Sequence, residues 1–69
     1  MNWVLEGMHV TATYLDEFQV AGRVELSRVA YGGKVVHTVV LDEPIQVYNR
    51  IADRLIVDHR DIQTVKDIN

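Results

Sequence analysis

The stretch from Val20 to Leu41, V-A-G-R-V-E-L-S-R-V-A-Y-G-G-K-V-V-H-T-V-V-L, constrains the fold most. Two arms rich in branched residues flank Gly32-Gly33. Glycine takes φ > 0 without steric cost, so the pair suits the two-residue turn of a β-hairpin. With that turn, Val24 faces Leu41, Leu26 faces Val39, Arg28 faces His37 and Ala30 faces Val35. On the other side Arg23 meets Asp42, Glu25 meets Val40, Ser27 meets Thr38 and Val29 meets Val36. The first set is apolar at its base and reads as core; the second opens on an ion pair and a hydroxyl pair and reads as solvated. At roughly 3.3 Å per residue, arms of about ten residues exceed about 30 Å, well beyond the usual strand. The hairpin therefore bends across two sheets or projects its tip, and a bulge near Ser27 or Arg28 would bend it and invert the faces beyond.

Ahead of the hairpin, Met1 to Glu6 is an apolar lead-in anchored by Trp3 and ended by Gly7. Met8 to Leu15 alternates, with Met8, Val10, Ala12 and Tyr14 on one face, as in a half-buried strand. Asp16-Glu17-Phe18 connects it to the first arm. After the hairpin, Asp42-Glu43-Pro44 ends the second arm, because proline donates no ladder hydrogen bond. Ile45 to Tyr48 reads as a short edge strand, and Asn49-Arg50 with Ala52-Asp53 as a loop. Arg54 to Asp58 and Gln63 to Ile68 are the last strands, with one 3₁₀ turn over His59 to Ile62 between them.

All 69 residues make one domain, and a chain this short buries only about 60% of its unfolded surface, so the core is small and stability is marginal or helped by self-association. With no cysteine there is no disulfide framework, zinc-thiolate site or thiol nucleophile. Ten acidic against seven basic residues give a net charge of −3 without a basic block, so the electrostatics of nucleic-acid binding are not advertised. The start M-N-W-V-L-E carries no positive charge and no apolar run of signal-peptide length, and no run spans a bilayer. The expectation is a soluble cytoplasmic protein with no membrane partner.

The order of elements resembles the SH3-like barrel family. G-M-H-V-T-A-T-Y stands as the first strand, the V-A-G-R-V to V-V-L-D hairpin as the second and third, and R-L-I-V-D as the fourth. H-R-D-I follows as the 3₁₀ turn that this family commonly places before its last strand, here T-V-K-D-I. The resemblance implies a small five-stranded all-β barrel with a long central hairpin over residues 1–69, and a binding module rather than an enzyme. An Sm-like ring former shares the bent five-stranded sheet but expects an N-terminal helix that is missing here. The compact lone domain is similar to small bacteriophage-encoded proteins, which implies an effector or inhibitor of a host protein, acting in the host cytoplasm.

His9, His37 and His59 lie on three elements without ligand spacing such as H-x₃-H, so no metal and no cofactor is expected. His37, facing Arg28, is expected to stay neutral. Ser27 is diagonal to His37 but on the opposite face in this register, so no nucleophile and base come together and no catalytic residue is assigned. Among the aromatics, Phe18 and Tyr14 read as core. Tyr31 adjoins the turn with Val29, Val36 and Lys34 on its own face, an apolar tip that is costly in water unless a partner or a second copy covers it. Arg28, Lys34 and Arg50 converge near the tip with Tyr31 and Tyr48. The expected binding set is therefore Tyr31, Tyr48, Arg28, His37, Val29, Val36, Lys34 and Arg50. It serves a non-enzymatic protein-binding module that forms a homo-oligomer through the Gly32-Gly33 hairpin. The alternative is a nucleic-acid or translation-associated SH3/Sm-like module using the same aromatic and basic residues.

Overall fold

Alternation makes β1: His9–Tyr14 buries Val10 and Ala12 and leaves His9, Thr11 and Thr13 partly in water, as its pattern demands. In the computed structural model, which describes residues 3–67, four further strands join it: β2 Phe18–Val29, β3 Val35–Val47, β4 Arg50–Asp58 and β5 Ile62–Lys66. They form a single antiparallel sheet in the order β4-β3-β2-β1-β5. The fold class is all-β, with a 3₁₀ turn at His59–Asp61 before β5. β4 and β5 do not pair with each other, so the sheet is open, with these strands as its two edges.

The hairpin differs from the simple register in three ways. Its turn is a three-residue 3₁₀ segment, Tyr31–Gly33, rather than two glycines. Gly33 N–H donates to Ala30 O at 3.0 Å across Gly32, whose φ of 87° and ψ of 5° are those of the third residue of a type II turn and belong to glycine. Secondly, the base shifts by two residues: Val24 pairs with Val39, and Gly22 with Leu41. Arg23 consequently faces Val40, and the expected Arg23–Asp42 ion pair is replaced by His9 Nε2 to Asp42 Oδ2 at 2.7 Å. Thirdly, Glu25 is an extra residue on β2, because the next pair after Val24–Val39 is Leu26–Thr38. This bulge lies earlier than Ser27 but inverts the faces beyond it. Ser27 and His37 turn inward as a pair and Leu26 turns out to water, 45% exposed, instead of joining the core.

Pro44 does not end β3. The β3–β4 pairing lapses between Val40–Arg54 and Ile45–Ala52, so the missing proline N–H leaves no ladder bond unmade. β3 therefore runs on to Val47, which pairs with Arg50 across Tyr48 and Asn49, and the expected loop at Arg50 to Asp53 is strand. At the same bend β2 crosses close to β3. A side chain at Gly22 would run into the Val40 carbonyl oxygen and lie 2.8 Å from Leu41 Cα, so only glycine fits.

The core gathers Leu5, Val10, Ala12, Val20, Val24, Val39, Leu41, Val47, Ala52, Leu55 and Val57, with Tyr14 and Phe18 packed against it as expected. The arm before β1 is tied to the bulge: Gly7 N–H donates to Val24 O and Val24 N–H to Met8 O, both at 2.9 Å. That docking carries Leu5 into the core.

Candidate functional site

Past the bulge, the inner face of the hairpin carries polar groups where a core would be apolar. Ser27 and His37 are buried, His37 completely. Buried polar groups cost stability unless they are paired, and here each is. Leu5 N–H donates to Ser27 Oγ at 3.0 Å, and Ser27 N–H donates to Glu6 Oε2 at 2.9 Å. Ser27 Oγ lies 2.8 Å from His37 Nδ1, and His37 Nε2 lies 2.8 Å from His59 Nδ1 on the exposed 3₁₀ turn.

The direction of this chain follows from counting donors. Ser27 Oγ already accepts from Leu5, and its proton has no acceptor among the described residues other than His37 Nδ1. The hydroxyl therefore donates to Nδ1, His37 carries its proton on Nε2, and that N–H donates to His59 Nδ1. Burial, then the neighbouring His59, push the His37 pKa below 6.5, and Asp58 opposes them in part. The expected neutral ring is thus consistent with the direction of the shift, although its causes are burial and His59. Arg28 plays no part, since it faces Val36.

Beside His59, Asp58 organises the 3₁₀ turn. Its Oδ1 accepts from Arg60 N–H at 2.9 Å, and its Oδ2 lies 3.4 Å from Lys34 Nζ across the strands. The Arg60 N–H first, then Lys34 and the Arg60 charge, lower the Asp58 pKa despite desolvation. A cleft of about 390 Å³ opens here, lined by Gly32, Gly33, Lys34, Val35, Asp58, His59 and Arg60.

The structure splits the expected binding residues between two ends of the β2–β3 ladder. Tyr31 stands fully exposed at the tip, with Val29 half-exposed below it and Lys34 beside it. Arg28 points to the outer face, opposite Val36, which is buried outside the main core. His37 lies beneath this end, out of contact with solvent. Tyr48 and Arg50 do not converge with them. Tyr48 packs edge-on against Phe18 at the start of β2, ring centroids 5.7 Å apart, and its hydroxyl donates to Glu17 at 3.4 Å. Arg50 opens β4 next to it.

Sequence reasoning weighs Ser27 and His59 but leaves both outside the binding set, and it passes over the arm residues Leu5 and Glu6. Val20, Gly22, Val24 and Leu26 alternate without a break, so nothing in β2 marks Glu25 as the bulged residue. No group of three or more metal-ligating side chains clusters among the described residues. No helix there is long and apolar enough to cross a membrane. No protein-family model, curated protein or solved structure matches the chain.

Proposed function

We propose that this chain is a non-enzymatic protein-binding module on an SH3-like frame, and that it self-associates through the tip of the β2–β3 hairpin. The frame is supported by β1 lying between β2 and β5 and by the 3₁₀ turn ahead of β5. The observation that carries the reading is Tyr31. It is wholly exposed on a type II turn, above a half-exposed Val29, on a hairpin held rigid from below by Ser27, His37 and His59. A tyrosine so placed gives up apolar area and a phenolic tip at little entropic cost, which suits a contact residue.

Ser27 and His37 meet as a nucleophile and base would, yet Ser27 is buried and both its N–H and its Oγ are engaged by the N-terminal arm. No carbonyl can approach it, so the pair is read as structural. The nucleic-acid alternative loses the convergence of Tyr31 with Tyr48, and of Arg28 with Arg50, on which it rested. Size-exclusion chromatography with light scattering tests the proposal. The wild type is expected to exceed its 7.9 kDa monomer mass as concentration rises, and Tyr31→Asp to stay monomeric. Monomers in both cases reject self-association.

A further inference from the structure

The outer face of β2, β3 and β4 has a pattern that the hairpin tip does not use. Leu26, Thr38 and Ile56 stand in one row across the three strands, Leu26 and Ile56 being 45% and 53% exposed. One row toward the base, Arg23, Val40 and Arg54 line up; one row toward the tip, Arg28, Val36 and Asp58 do. Lys34 reaches Asp58 from the same side, and Arg54 reaches the bulged Glu25 at 3.0 Å.

An apolar row thus runs across the strands with cations on both sides. Arg23, Arg28, Lys34 and Arg54 are four of the chain's seven basic residues, against three carboxylates, Glu25, Asp42 and Asp58, on the same face, Asp42 being engaged by His9 beside Arg23. The face is net positive by one charge on a chain of net −3. Arg23 and Arg28 make no ion pair or side-chain hydrogen bond among the described residues, so their charge is open to a partner.

Rows on one face of a strand are spaced by two residues, roughly 7 Å, so the cations stand about 14 Å apart across the apolar row. An α-helix is about 10–12 Å wide with its side chains. We infer that this face binds an acidic amphipathic helix of a partner protein. Its aliphatic stripe lies along Leu26, Thr38 and Ile56, and carboxylates on either side of that stripe meet Arg23 and Arg54 in one direction and Arg28 and Lys34 in the other. A second copy has no α-helix among its described residues to lay along this row. Single-stranded nucleic acid fits less well, since the exposed centre is aliphatic and offers no ring for a base to stack on.

This inference rests on the protein-binding reading but uses a surface separate from Tyr31. Three probes test it against ¹⁵N-labelled protein at low salt: a synthetic helical peptide with a leucine stripe flanked by glutamates, the same peptide with lysines for glutamates, and a single-stranded oligonucleotide. The glutamate peptide is expected to shift the amides of Leu26, Thr38, Val40 and Ile56 saturably and to gain helicity on binding. Its affinity should fall at least tenfold in Arg23→Glu/Arg28→Glu and as salt is raised. The lysine peptide should not bind. No shift on this face, equal binding of the two peptides, or tighter binding of the oligonucleotide there overturns the inference. Light scattering on the same samples reads self-association separately, so a failed titration beside an intact oligomer removes this inference alone.

Discussion

His37 Nε2 lies 2.8 Å from His59 Nδ1, and through this bond a fully buried ring on β3 is tied to an exposed 3₁₀ turn. The tilted rings, with centroids 5.1 Å apart, leave room for one proton between the facing nitrogens. Because Ser27 needs His37 Nδ1 as an acceptor, that proton belongs to His37. A second proton on the pair has to break one of these bonds.

Stability is accordingly expected to fall in mild acid. Burial and His59 lower the His37 pKa in the folded protein relative to 6.5. Between the two values the unfolded chain binds more protons, so the stabilisation is whole above about 6.5 and is lost as pH falls through the folded value. Melting temperatures at pH ~7.5 and ~5 should differ by at least a few degrees, with the acid sample lower. In His37→Gln, which cannot titrate there, this difference should shrink. Asp58, held below 3.8, gives its own contribution up only at lower pH, so the two windows separate.

Ser27→Ala removes the acceptor of Leu5 N–H and the donor to His37 in one step. Leaving buried groups unpaired costs about 1–3 kcal/mol, measurable by urea unfolding. The loss should localise, with faster hydrogen exchange at Leu5, whose N–H has lost its partner. Unchanged exchange at Leu5 would contradict the coupling of the arm to the bulge.

The glycines divide by what surrounds them. Gly22→Ala drives a methyl into the Val40 carbonyl and should destabilise by about 3 kcal/mol or prevent folding. Gly32→Ala meets open space and pays only for its positive φ, about 1–2 kcal/mol. Urea midpoints of the two variants check the order.

Much of this fold is legible in the residues. The alternation of His9–Tyr14, the branched arms on either side of Gly32-Gly33 and the H-R-D turn before β5 all stand where their periodicity and turn chemistry put them. The buried chain was not legible, because a one-residue bulge inverts every face beyond it and Glu25 carries no mark of being extra. The unbroken register sets His37 and Ser27 on opposite faces, and that single extra residue brings them onto one. Tyr48 and Arg50 were misplaced for a related reason: with Pro44 absorbed where the β3–β4 ladder lapses, β3 continues and carries them to the far end.

Tyr48 and Tyr31 should therefore behave differently. Tyr48→Ala removes an edge-on contact with Phe18, worth about 0.5–1.5 kcal/mol, and should lower stability while leaving association untouched. Tyr31→Ala should leave stability nearly unchanged and weaken association. Thermal melts and light scattering on both variants separate the two roles.

The most direct measurement is a concentration series of amide spectra on the wild-type protein. With the hairpin tip as the contact between copies, the signals of Tyr31, Gly32, Gly33 and Lys34 move as concentration rises, while those of Phe18 and Tyr48 at the other end stay fixed. Signals that do not move at any concentration, or that move only around Phe18 and Tyr48, contradict it.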